Sequence, residues 1–341
     1  MNLIILYFII GSFFLFIISK ILIKFNILVE KVSRSSHKKF LYLNNKKTYS
    51  GGIFLLITLA LFLSETNFFF IVSIILIFLV GVLSDIDFLS SPKIRLFIQF
   101  VVIIFFTIYT NILVEETRIE LIDSFLQNNL FKIVFTIFCF LVLINGCNFI
   151  DGVNSLLIGY FLIVSICIFT LINSQSIMFE EKSLEIIICC LLILFIFNFF
   201  SKIIMGDSGA YLLGFLFGYY AIILSNENLN ISPIYILNLL WYPAFENLFS
   251  ILRKIKSKIS VSTPDNLHLH HFIYLELKKK FKKNNFNNSL TGILINLLNA
   301  ILLAVATIFA NHSGYLSIIL GFNIFIYLFS YYFLKTKNLK N

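Results

Sequence analysis

Apolar blocks of about 15 to 22 residues recur along this chain from end to end, and each is long enough for a helix to cross about 30 Å of hydrocarbon. The expected spans are 3–23, 51–64, 68–83, 96–111, 131–146, 153–172, 184–200, 210–225, 232–251, 290–310 and 314–334. A water-soluble core cannot absorb so many such blocks. Composition agrees, at 59% hydrophobic and 13% charged residues, where a soluble domain has about half and a quarter. The fold class is therefore an all-α integral membrane protein of about eleven spans, forming one polytopic domain over 1–341. Leu3 to Ile23 lacks a basic leader and a small-residue cleavage site, so it reads as a span and not a removed signal.

Lysine and arginine set the orientation, because short cytoplasmic loops are enriched in them. With the N-terminus outside and the C-terminus cytoplasmic, all but Arg118, Lys132 and Lys182 of the 26 lysines and arginines fall inside. The net charge of +9 is thus mainly a topology signal. It does not point to nucleic acid, since the basic residues border spans and leave no room for a recognition fold. The five cysteines, Cys139, Cys147, Cys167, Cys189 and Cys190, are odd in number and lie in or beside apolar stretches. They give neither a disulfide framework nor a metal spacing.

Four polar clusters then land on the inner side, in or beside the loops 24–50, 84–95, 145–152, 201–209 and 252–289. Asp85 and Asp87 close one span and are followed by Lys93, Arg95 and Gln99. Asn145, Asn148 and Asp151 would share one helix face at their i, i+3, i+6 spacing, and polar groups at membrane depth are costly enough to face a cavity or a partner. Asp207, between Gly206 and Gly209, opens a span where free N–H groups attract anions. Its simplest reading is a helix-capping aspartate. The fourth cluster runs from Pro264 to His271 and holds His268, His270 and His271 in a basic loop. Phosphate binding suits it better than zinc, because no cysteine or second histidine pair accompanies it. The first inner loop adds Arg34, His37, Lys38, Lys39, Lys46 and Lys47, which inward retention alone explains. Together these groups are the inventory for handling a multiply charged phosphate with a divalent metal.

Asn145-x-x-Asn148-x-x-Asp151-Gly152, Gly206-Asp207-x-Gly209 and the closing His268-x-His270-His271, in this order, resemble the polyprenyl-phosphate N-acetylhexosamine-1-phosphate transferases of glycosyltransferase family 4. The His-x-His-His form is similar to the N-acetylglucosamine-1-phosphate branch. The resemblance implies a Mg²⁺-dependent enzyme of the bacterial cytoplasmic membrane, with its site facing the cytoplasm. It would take a UDP-N-acetylhexosamine and undecaprenyl phosphate among the membrane lipids, and give UMP and undecaprenyl-diphosphate-sugar. That step would start a cell-surface glycan of cell-wall or lipopolysaccharide type. By matching position, Asp207 and Asn148 would hold Mg²⁺, and Asp85 and Asp207 would be catalytic. Lys47, Lys93, Asn145, Asp151, His268, His270 and His271 would bind substrate.

One position departs from that pattern. Ser84 stands where the family has the first of two adjacent aspartates. A phosphate monoester has its second pKa near about 6, so the lipid phosphate would arrive mostly dianionic and attack without a base. Activity is therefore expected. Two rivals remain: a lipid transporter or scrambler, against which no inverted repeat is seen, and an inactive homologue that only binds polyprenyl phosphate. The sequence leaves open which hexosamine is used, which glycan is started and whether a homodimer forms.

Overall fold

The computed structural model describes residues 3–30, 47–62, 67–175, 181–263, 265–281 and 284–339. Arg34, His37, Lys38, Lys39, Lys46 and Pro264 lie outside them. The regular structure of the described residues is helical. In order the helices are α1 (Leu3–Phe25), α2 (Ser50–Phe62), α3 (Phe68–Asp85), α4 (Pro92–Thr110), α5 (Glu120–Leu126), α6 (Asn129–Ile150) and α7 (Leu156–Gln175). There follow α8 (Glu181–Phe199), α9 (Gly206–Glu227), α10 (Pro233–Lys256), α11 (Leu269–Lys280), α12 (Asn284–Ile308) and α13 (Ser313–Leu339).

Lipid offers no partner for backbone polar groups, so a chain this apolar closes its hydrogen bonds within helices. Nine of these helices, among the described residues, are long and apolar enough to cross a membrane. The short α2 and the more polar α10 overlap the other two expected spans. At 13 residues α2 is only about 20 Å long. The starts are set locally: Asn67, Asn128 and Ser232 accept N–H groups of the turns they open, and Pro92 and Pro233 occupy first positions where no N–H is needed. The outer faces of α1 and α13 carry exposed Phe13, Phe16, Phe325 and Phe329, which suits contact with lipid.

Three boundaries differ from the expected spans in ways that matter for the site. Helix α6 runs on to Ile150, so Asn145 and Asn148 are helical and Asp151 is its C-cap. Helix α12 starts at Asn284, and Asn287 and Asn288 near its start are paired and not left in lipid. Asn287 donates to the Phe281 carbonyl (2.8 Å), and Asn288 accepts the Asn154 N–H (2.6 Å). The polar stretches 112–130 and 252–289 contain the short helices α5 and α11.

Helix α9 is the hub, with 83% of its apolar window buried. It lies against α2, α3 and α6. Gly81 of α3 meets the backbone at Ser208 so closely that any side chain there would collide with it. Toward the far end, Phe70, Phe106, Phe140 and Phe215 pack edge to face or stacked around the same helix. Helix α10 contains Pro243, which cannot donate to the carbonyl four residues back. The Tyr160 hydroxyl of α7 donates to that Leu239 carbonyl instead, at 2.8 Å.

Candidate active site

The site is built on the first turn of α9. Gly206 has φ +70, a left-handed value that lets the chain turn sharply into the helix. The turn exposes the Asp207 and Ser208 N–H groups, and both are taken by Asp85 from the last turn of α3, at 2.8 and 3.1 Å. Asp85 is therefore a capping carboxylate delivered from another helix, placed where N–H groups and the helix dipole favour an anion.

Asp207 gathers the remaining charge. Its Oδ2 accepts from the Arg95 guanidinium of α4 at 2.5 Å, from the Ser84 hydroxyl at 2.5 Å and from the Tyr211 hydroxyl at 3.5 Å. Arg95 also donates to Ser84. Ser84 is thus a neutral bridge between a cation and a carboxylate. Tyr211 extends the network to α6, since the Asn148 amide donates to its oxygen at 3.4 Å. Asn145 donates to the buried Gln99 of α4 at 2.9 Å.

The histidine segment closes over the end of α6. A methyl group at Gly152 would strike His270 Nε2, so the backbone after Asp151 and this ring are in direct contact. His268 lies 5.4 Å from the Phe149 ring and 5.5 Å from His270, and His270 lies 4.4 Å from His271. Lys254 ties the preceding loop down by donating to the Val261 and Thr263 carbonyls at 3.1 and 2.8 Å. Asp265 pairs with Arg253 at 3.1 Å and with Lys254 at 3.6 Å. Burial would raise the Asp265 carboxyl, but His268, the Leu267 N–H and Arg253 outweigh it and hold the group below its usual range. His270 is completely buried, and burial, reinforced by His271 and His268, pushes its imidazole well below the ordinary range.

Lys47 sits next to Thr48, which bridges to Ile203 just ahead of the Gly206 turn. Its side chain is buried, and burial lowers its ammonium pKa against the opposing pull of Glu30. Lys93 is exposed on α4, whereas Arg95 reaches the cluster. An apolar cavity of about 290 Å³ lies between α6, α9 and α10, lined by Leu143, Leu240 and Leu248 among others, and reaches Ile222, Asn226 and Pro233 toward the end of α9 opposite its first turn.

The sequence profile described as "Glycosyl transferase family 4" matches residues 67–225. That stretch contains Ser84, Asp85, Arg95, Asn148 and Asp207, which meet around the α9 turn, and Asn145 and Asp151 at the end of α6. Over that stretch the chain is similar to glycosyl transferase family 4. It is 28% identical over 229 residues to the undecaprenyl-phosphate alpha-N-acetylglucosaminyl 1-phosphate transferase of Thermotoga maritima, covering 67% of this chain and 68% of that protein. It is 27% identical over 199 residues to a probable undecaprenyl-phosphate N-acetylglucosaminyl 1-phosphate transferase of Bacillus subtilis, covering 58% and 55%. It is 23% identical over 313 residues to the undecaprenyl-phosphate alpha-N-acetylglucosaminyl 1-phosphate transferase of Escherichia coli O157:H7, covering 88% and 81%. This chain thus spans from about half to four fifths of the length of these relatives.

Mg²⁺ can be tested against the donors present. Asp85, Asp207 and Asn148 offer only hard oxygen, the kind Mg²⁺ takes. No group of three or more His, Cys, Asp or Glu suited to a metal occurs among the described residues. A site would therefore rest on Asp207 and Asn148 and leave other positions to phosphate oxygens or water, which is how Mg²⁺ is commonly held. The Arg95 guanidinium already places positive charge on Asp207 Oδ2. The donor set fits in kind.

Sequence reasoning did not single out Tyr211 or Glu246, and it favoured Lys93 over Arg95. Glu246 carried a signal: it is a lone carboxylate within an apolar span, a place where charge is costly without a purpose.

Proposed function

We propose that this chain transfers an N-acetylhexosamine 1-phosphate from a UDP-sugar to undecaprenyl phosphate, at the face of the membrane that carries the basic loops. The observation that carries the reading is the meeting of Arg95, Asp207 and Asn148 around the start of α9, with the histidine segment packed on the end of α6 that bears Asn148, in a helix bundle that also holds an apolar cavity between α6, α9 and α10. An anionic head group needs the first environment and a polyprenyl tail an apolar one. The names of the relatives support the same substrates.

The lipid phosphate oxygen attacks the sugar-bearing phosphorus of the UDP-sugar. The bond from that phosphorus to the bridging oxygen breaks, and UMP leaves with the electron pair. The attacking phosphate is mostly dianionic near neutral pH, so no residue has to remove a proton. Both oxygens of Asp85 are committed to backbone N–H groups, which assigns it to holding the α9 turn and not to acting as a base. Arg95 supplies positive charge next to Asp207, and His268, His270, His271, Lys47 and Asp151 form the nucleotide-sugar side. Mg²⁺, held by Asp207 and Asn148, would neutralise charge on the diphosphate as the bridge breaks. In this reading the face is cytoplasmic, which the basic-residue distribution supports, the membrane is a bacterial inner membrane, and the product starts a cell-surface glycan.

Membranes containing the chain, given labelled UDP-N-acetylglucosamine, undecaprenyl phosphate and Mg²⁺, should move label into lipid and release UMP. A panel of other UDP-sugars identifies the donor. Asp207→Asn should abolish transfer in a protein that still inserts. Lipid movement across the bilayer without transfer to any lipid would refute the reading in favour of a scrambler.

A further inference from the structure

Glu246 lies within α10 and is 1% exposed. Its carboxylate is used at both oxygens: Oε1 stands 2.8 Å from His268 Nδ1, and Oε2 accepts the Tyr327 hydroxyl of α13 at 2.6 Å. With a carboxylate on one side, Nδ1 is the protonated nitrogen and the ring orientation is fixed. Its Nε2 lies 3.5 Å from Asp265 Oδ1. His268 thus has one nitrogen anchored from behind by a buried helix and the other turned to Asp265, which Arg253 and Lys254 at the end of α10 hold.

Stability alone does not account for this pair. Replacing a buried ion pair with apolar groups of similar size is often neutral or stabilising. A carboxylate that holds the back nitrogen of a histidine is instead the usual device for keeping its front nitrogen oriented. We infer that Glu246, steadied by Tyr327, is a positioning residue that holds His268 with Nε2 presented to the diphosphate of the nucleotide-sugar. This rests on the transferase reading of the site.

The test uses the full chain in detergent or nanodiscs, with KM measured separately for UDP-N-acetylglucosamine and for undecaprenyl phosphate. Glu246→Gln should raise KM for the nucleotide-sugar about 10- to 100-fold, the usual cost of losing such an anchor, and leave KM for the lipid unchanged. Tyr327→Phe should act in the same direction but less. Combining Glu246→Gln with His268→Ala should be no worse than His268→Ala alone, because Glu246 acts through that ring. A normal nucleotide-sugar KM in Glu246→Gln, equal changes in both constants, or additive losses in the double variant would each overturn the inference. If Glu246→Gln does not fold, the KM split in Tyr327→Phe decides. A wild-type protein that transfers from no UDP-sugar overturns the transferase reading itself, and it does so before any variant is compared.

Discussion

Gly206→Ala isolates the turn on which the site is built. At φ +70 a Cβ costs about 1–2 kcal/mol. That Cβ would also fall 2.7 Å from Asp85 Oδ2 and 2.7 Å from the Tyr49 ring. The carboxylate must retreat, loosening its bonds to the Asp207 and Ser208 N–H groups. Each bond to a charged group is worth about 1.5–3 kcal/mol. Strain and the loss of one such bond together come to about 2.5–5 kcal/mol. If that cost falls on the transfer step, the rate drops on the order of 100-fold or more, at 1.36 kcal/mol per decade. Turnover of labelled UDP-sugar in nanodiscs and a melting curve in detergent measure the two ways the cost can appear. Gly314→Ala is the control, because a Cβ there meets nothing within 4 Å. A Gly206→Ala protein with unchanged melting and turnover would show that Asp85 does not cap this helix.

Ser84→Ala removes a bridging hydroxyl but leaves the direct Arg95–Asp207 contact at 2.5 Å, so transfer should fall by no more than about tenfold, or about 1.4 kcal/mol. Arg95→Gln leaves Asp207 without its cation and should cost about 3 kcal/mol. Equal turnover losses in the two variants would contradict the bridge. The His270 imidazole is held neutral by burial, below its ordinary pKa of 6.5, so the unfolded chain binds a proton first as pH falls. The stability that a neutral His270 contributes is present above about 6.5 and is lost below it, at up to about 1.4 kcal/mol per pH unit for one proton. Melting temperatures between pH 8 and 5 should therefore fall less steeply for His270→Asn than for wild type. Parallel curves would remove His270 from the acid response.

The spans could be read from sequence because hydrocarbon allows one backbone solution, and a run of apolar residues announces it. The polar clusters were legible for the complementary reason, since Asn145, Asn148 and Asp207 stand out against that background. What sequence could not give was direction around a helix. Lys93 and Arg95 are two residues apart, hence about 200° apart on α4, and only packing decides which of them meets Asp207. Nor could it show that Asp85 spends both oxygens on the backbone of α9, because that depends on how closely α3 approaches at Gly81. The early start of α12 was hidden too, since its asparagines look like a loop until Asn154 is seen bonded to one of them.

The gap that Pro243 leaves in α10 is filled from outside, by Tyr160 of α7. Chain order gives this a meaning for assembly. During synthesis α7 is made, and can be in the bilayer, before α10 leaves the ribosome. The carbonyl that proline strips of its donor therefore meets a hydroxyl that is already waiting, and at no stage need it face lipid unbonded. Glu246, three residues beyond Pro243, has the opposite history. Both of its partners, His268 and Tyr327, are made later. A chain halted after α10 would carry a buried carboxylate with no hydrogen-bond donor from either, so this half of the site is completed only when the last helix arrives.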